Sequence, residues 1–314
     1  MKRIYRRPSP YAPALIDNAR VLAHLLGDFD HDLWHFVFAP NPMSSRAGAW
    51  IRTIRRRPVI QTVASQPRSF EGVKRLLFGD HIVVLSHHTA KRLRDHGAQE
   101  DRITVIPPPI ADIARDGDAR KAARTQVGIG LDAPLFVYAG DLEFSLGSTW
   151  MAAAVPKLLR DLPDAVVAFA CRAKTQKAAL RRERLSEQLA RYGDHVRFLG
   201  EVQDLPALIA SATAAPFVVD DLYGKVDLPY VVLEAALLEV PVVVLEGSPL
   251  AEIEGIPTMG PGDGDALARW CVEMSRDDGA RSQLGATLRQ SVRKRHDPRA
   301  VAERVESIYQ KLLR

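Results

Sequence analysis

The carboxylate of Glu234 stands inside the largely apolar segment PYVVLEAALLEVPVVV, whose other acid is Glu239, with Leu233, Ala235 and Leu238 around it. A glutamate that only solubilises a helix normally has a basic neighbour three or four residues away. Glu234 has no Lys or Arg within four positions, so its polar partner must come from elsewhere. A carboxylate accepts two hydroxyl donors at once, and a diol such as the ribose of a nucleotide suits it. Other reactive residue types are less telling. His87 and His88 follow Ser86 and His35 falls in an apolar run, but no further ligands lie at a metal-site spacing, so no metal is expected. Cys171 and Cys271 sit in apolar patterns outside any CxxC spacing and are expected to be reduced, buried and structural. No Ser-His-Asp or Cys-His set is readable, because such sets are assembled in space.

The elements that must position these residues follow from an alternation of β-branched runs with longer amphipathic segments, the pattern of parallel sheets covered by helices. Strands are expected at 33–39, 58–64, 81–86 and 102–107, then at 135–140, 165–171, 196–200, 215–219 and 241–246. Helices fit between them, including FEGVKRLLF and TWMAAAVPKLLRDL. Three prolines open PPPIADIARDGDARKAART, which reads as a boundary. The expected division is an N-terminal domain over 1–110, a second over 111–296, and a helix over 297–314 returning toward the first, with Asp297 as N-cap and Pro298 at its first position. Ligands of such doubly wound sheets sit beyond the carboxyl ends of the strands.

Composition sets the class. At 314 residues, with 46% hydrophobic and 26% charged, the chain is long enough for two domains with real cores. It has no run of about 18 apolar residues, and its start lacks the apolar region of an export signal, so a cytoplasmic protein is expected. The net charge of +5 is uneven: residues 1–110 carry 17 basic against 9 acidic side chains. That basic portion suits phosphates or anionic lipid headgroups, with a plain solvated face as the alternative. Nothing in it has the aromatic platform of a nucleic-acid binder, and none is expected as a partner.

The segment around Glu234 resembles the family 4 (group 1) retaining glycosyltransferases of GT-B fold, whose motif reads "LEAMACGVPVV". Further stretches are similar to the family in the family's order: HIVVLSHHTAKRLRDHGAQEDRITVIPPPI, LFVYAGDLEFSLG and HVRFLGEVQDLPALIASATAAPFVV. The resemblance implies two Rossmann-like domains facing a cleft, with the N-terminal one shortened. It implies a metal-independent transfer of sugar from a nucleotide-sugar, UDP- or GDP-linked, to a hydroxyl on a glycan, lipid-linked or small-molecule acceptor, with no separate cofactor. By the same carry-over Glu234 binds ribose, Gly140 lets backbone approach a phosphate, Gly247 and Ser248 offer amides, and Val202 lies near the base. Turn geometry alone is the alternative for both glycines. Ser65, Gln66 and Arg68 follow the second strand and are expected on the acceptor side.

The family pattern is broken in four places. Where it reads "GR…KG", with two cations for the departing diphosphate, this chain has Asp141 and Leu146; Val226 replaces a glutamate and Ala64 a histidine; and the N-terminal domain is short. Lys225 and Asp227 flank Val226, and the expected compensation is Lys225 for a phosphate and Asp227 for the donor sugar, with Asp141 lining the donor site. A surface pair between Lys225 and Asp227, worth ~0–1 kcal/mol, is the plain alternative. For the whole chain, the alternative is a catalytically inactive GT-B homologue serving as a binding or partner subunit. An anionic lipid-linked acceptor would give the basic domain a peripheral place at the inner membrane face.

Overall fold

The computed structural model describes residues 15–314, which form two compact units. The first runs to Ile106 and takes in Ala302–Arg314; the second is Pro107–Val301.

In the first unit, α1 (Leu15–Leu26), β1 (Trp34–Phe38), α2 (Pro42–Arg55), β2 (Val59–Val63), β3 (His81–Val84), α3 (His87–Asp95) and β4 (Ile103–Val105) alternate. The four strands pair in chain order, all parallel. Each β2 side chain is buried, as expected of a strand covered on both faces. Asn41 caps α2 by accepting from the Ser44 amide at 2.9 Å, and Ser86 caps α3 by accepting from the Thr89 amide at 3.0 Å. The helix expected over FEGVKRLLF is only a 3₁₀ turn, Val73–Leu76. Gly72 enters it at φ 65°, and the Phe78 and Gly79 amides are taken by the Gln61 side chain, which ends any helix there.

The second unit begins with α4 (Gly117–Gln126), inside the stretch that reads as a boundary. Its N-cap Asp116 accepts from the amides of Asp118 and Ala119, and buried Arg124 donates to the carbonyls of Leu131, Ala133 and Ser211 at 2.9–3.0 Å. There follow β5 (Leu135–Tyr138), α5 (Gly147–Asp161), β6 (Val166–Phe169), α6 (Gln176–Leu189), β7 (Val196–Phe198), α7 (Leu205–Ala210) and α8 (Tyr230–Leu237). β8 (Val244–Leu245), β9 (Thr258–Met259), α9 (Gly264–Arg276), α10 (Asp278–Arg295) and α11 (Pro298–Leu313) complete the chain, α11 passing from the second unit's residues into the first's.

β5, β6 and β7 pair in parallel. On its other edge β5 meets the segment 214–217 through the parallel bridge Phe136↔Ala214, and that segment meets β8 through Phe217↔Val244. The spatial order is therefore β7, β6, β5, the 214–217 segment, β8, β9. The order reverses between β5 and 214–217, and a crevice opens at such a switch point, outside the carboxyl ends of the strands. Leu135, Phe136, Val137 and Tyr138 are fully buried in this core, and Cys171 and Cys271 are free and buried. Among the described residues no helix is long and apolar enough to cross a membrane.

Candidate functional site

Two loops flank the switch point, residues 139–146 after β5 and 218–229 before α8, and they carry Gly140, Asp141, Lys225 and Asp227. Asp141 turns back on its own loop: its Oδ1 accepts from the amides of Glu143 and Phe144 at 2.7 Å each and of Ser145 at 3.4 Å, while Oδ2 pairs with the Lys225 ammonium. Burial alone would raise its pKa, but the Lys225 hydrogen bond and charge, with the Phe144 and Glu143 amides, hold it below the usual carboxylate value. Lys225 therefore pairs with Asp141, and Asp227 is almost wholly buried, 1% exposed.

A second carboxylate completes the loop. Asp220 Oδ1 accepts from the Ser145 hydroxyl at 2.8 Å and the Leu146 amide at 2.7 Å, and Ser145 Oγ in turn accepts from the Gly147 amide at 2.9 Å. The positive end of α5 is thus met by the chain's own side chains. Arg181 of α6 donates to the Ser145 carbonyl, and Phe144 and Tyr223 pack edge to face, 5.0 Å between centroids. The loop after β6 lies beside this one because Ala170 donates to the Tyr138 carbonyl at 2.9 Å. It carries Lys174, whose pKa is lowered by burial and by the charges of Arg172 and Lys225.

Gly140 has a packing reason of its own: a Cβ there would lie 2.2 Å from the Tyr138 hydroxyl oxygen. At Gly147 it would lie 2.3 Å from the Val218 carbonyl oxygen. Beyond β8, Gly247 adopts φ 69°, and the Ser248 amide and hydroxyl both turn back to the Leu245 carbonyl at 3.4 and 2.7 Å, so these Ser248 donors are already engaged. Val202 is half-buried and packs on the core of this unit.

Glu234 lies in the second turn of α8, with Leu233, Ala235 and Ala236 buried around it. Its half-buried carboxylate makes no hydrogen bond or ion pair among the described residues, and burial alone raises its pKa. Ser65, Gln66 and Arg68 belong to the first unit, where the Arg92 guanidinium donates to Gln66 Oε1 at 3.1 Å and stacks 3.9 Å over the Phe70 ring.

Asp220, Arg181, Lys174 and the Phe144–Tyr223 pair were not drawn from the sequence. Asp141 did carry a signal there, since an aspartate followed two and three residues on by free amides makes a capping turn with its own backbone.

No curated protein sequence matches the chain. Solved structures match its fold. HepE of Anabaena, in complex with UDP and glucose, superposes with a TM-score of 0.79 at 16% identity, over 94% of this chain and 82% of that one. A glycosyltransferase from Rickettsia africae gives 0.78 at 15% identity over 99% and 85%. Sucrose-phosphate synthase from Thermosynechococcus elongatus gives 0.72 at 18% identity over 99% and 82%. The family model of glycosyl transferases group 1 matches residues 133–277, and that of glycosyltransferase family 4 matches residues 1–112. The two models account for separate parts that together make up most of the chain, which belongs to the group 1 (family 4) glycosyltransferases, sugar-transferring enzymes of GT-B fold.

Proposed function

We propose that this enzyme takes its sugar from a UDP- or GDP-sugar and transfers it, with retention and without a metal or other cofactor, to an acceptor hydroxyl on a glycan, lipid-linked or small molecule. The observation that carries the donor reading is Glu234, a half-buried carboxylate raised by burial and lacking a partner among the described residues. Ribose hydroxyls would end that deficit as two charge-assisted hydrogen bonds. The known complexes of Anabaena HepE with UDP and with UDP-glucose support the same donor class.

In this reading the second unit holds the donor and the first the acceptor. Lys225 exchanges Asp141 for a phosphate oxygen, and Lys174 adds the second charge that the family pattern places on the loop itself. Asp227 orients the donor sugar, Val202 borders the base and the Gly247 amide faces the donor. The bond from the anomeric carbon to the diphosphate breaks as the bond to the acceptor oxygen forms. The acceptor proton leaves with the diphosphate, whose charge the two ammonium groups stabilise. Arg68, Ser65 and Gln66 are the acceptor-side contacts. The enzyme works in the cytoplasm, with a peripheral membrane contact through its basic first unit.

Calorimetric titration with UDP, GDP, ADP and uridine tests the reading. One diphosphate is expected to bind, Glu234→Ala to weaken both it and its nucleoside, and Lys225→Ala to weaken the diphosphate about tenfold while sparing the nucleoside. Proton NMR of the product then gives the anomeric configuration, and transfer is expected to persist in EDTA. Absence of binding by every nucleotide at millimolar concentration would sink the donor site and favour a binding or partner role.

A further inference from the structure

The first unit exposes apolar side chains in one place. Of the eleven large hydrophobic residues exposed among the described ones, six fall between residues 16 and 54. Three share one face of α2: Met43, Trp50 and Ile54 are 61%, 51% and 50% exposed. With Ala47 they recur at spacings of four, three and four, which places them within about 60° around the helix and along about 16 Å of its length. The opposite face, Ser45, Gly48 and Ile51, is buried, and a Cβ on Gly48 would run into the Phe78 ring at 2.3 Å. The helix is therefore fixed to its unit by one side and presents the other outward.

In the chain segment that carries this stripe, charge has one sign. Residues 33–70 contain six arginines and no aspartate or glutamate. Arg46 flanks the stripe and is exposed, and at its C-terminal end Arg52, Arg56 and Arg57 line a basin of about 600 Å³, in which Asp80 neutralises Arg52. Beyond the basin, Arg55 lies 4.0 Å over the exposed Phe29 ring, next to which Asp28, Asp30 and Asp32 stand in the chain.

We propose that α2 is the docking surface for an anionic lipid bilayer, with Met43, Trp50 and Ile54 in the headgroup–acyl boundary and lipid phosphates held by Arg46 and the Arg52–Arg56–Arg57 basin. An apolar face with tryptophan, edged by arginines, is the composition of a helix that lies in a membrane interface. A second copy of the chain fits poorly, since two such faces would bring like charges together. Nucleic acid would use the arginines and leave the apolar stripe idle. The surface lies in the first unit and does not depend on the donor-site reading.

The test is co-sedimentation of the full chain with phosphatidylcholine vesicles with and without phosphatidylglycerol. The wild type is expected to bind only the anionic vesicles, and the triple variant Met43→Ser, Trp50→Ser, Ile54→Ser to lose at least tenfold in affinity. Arg46→Glu with Arg56→Glu should lose as much and flatten the salt dependence. Circular dichroism and thermal melting report folding. If the triple variant fails to fold, Met43→Cys labelled with an environment-sensitive dye serves instead, and its emission is expected to shift blue on anionic vesicles alone. Vesicle binding unchanged in the triple variant, no binding by the wild type, no shift of the dye, or dimerisation abolished by the same variant would each overturn the proposal.

Discussion

Glu234 is held under tension between stability and binding. Burial raises its pKa, so folding disfavours its ionised form. The proton-bound state carries the greater stability: that advantage is fully present below the unfolded value and is lost as pH rises through the higher folded value. Glu234→Gln is therefore expected to stabilise the free protein at neutral pH, by less than about 1 kcal/mol because the group is only half-buried, while weakening nucleotide binding about 10–100-fold. Nucleotide affinity of the wild type, which needs the carboxylate, should fall as pH drops through the raised value. Urea denaturation and calorimetry at two pH values read both effects; a destabilised Gln variant would mean that Glu234 has a structural partner after all. An isolated acid among leucines was visible in the sequence because nothing near it in the chain could pair with it. Asp141 was harder to place. In one dimension it is an arginine replaced by an anion, and only in three does its carboxylate gather the Glu143, Phe144 and Ser145 amides and hold Lys225.

At the scale of elements, the loop between β5 and α5 is pressed against the sheet at two glycines. Gly140→Ala would meet the buried Tyr138 hydroxyl, and Gly147→Ala the Val218 carbonyl, which is backbone and has less freedom to move. Each is expected to cost about 1–3 kcal/mol in urea denaturation, Gly147→Ala the more. A loss below about 0.5 kcal/mol at Gly147 would show that the loop can rise off the sheet, against the close packing described. Periodicity located β1 to β7 because each is a β-branched or aromatic run. It overstated the 215–219 segment, which makes only single bridges, and missed α4, whose polar sequence and preceding prolines resemble a linker. What anchors α4 is the buried Arg124, satisfied by carbonyls up to 87 residues away in sequence, and no local pattern records that. The crevice, too, belongs to strand order, which is fixed by pairings between distant segments.

At the scale of the molecule, the first unit is built from both ends of the chain. The Tyr309 hydroxyl lies 2.7 Å from His35 Nδ1, the His35 Nε2 lies 2.6 Å from the Thr62 hydroxyl, and Arg304 donates to the Val105 carbonyl at 2.5 Å. Burial lowers the His35 pKa, so the ring is neutral at pH 7 and joins two hydroxyls. Tyr309→Phe is expected to cost this unit about 1 kcal/mol. Removing residues 302–314 should lower its melting transition by several degrees, at about 4–8 °C per kcal/mol for a unit this small, while nucleotide binding stays within threefold. Calorimetric scanning beside a UDP titration separates the two; equal loss from both readouts would contradict the division into units.

That division also sets a timetable for synthesis. The ribosome makes most of the first unit early, then works through Pro107–Val301 before it reaches the helix residues that pack on β1. At about 5–20 residues per second that interval is on the order of 10–40 s. The residues before Pro107 are thus joined by their partner helix only after Val301 has been made, and throughout that wait β1 stands without it, open to chaperones and to unfinished neighbours on the same message.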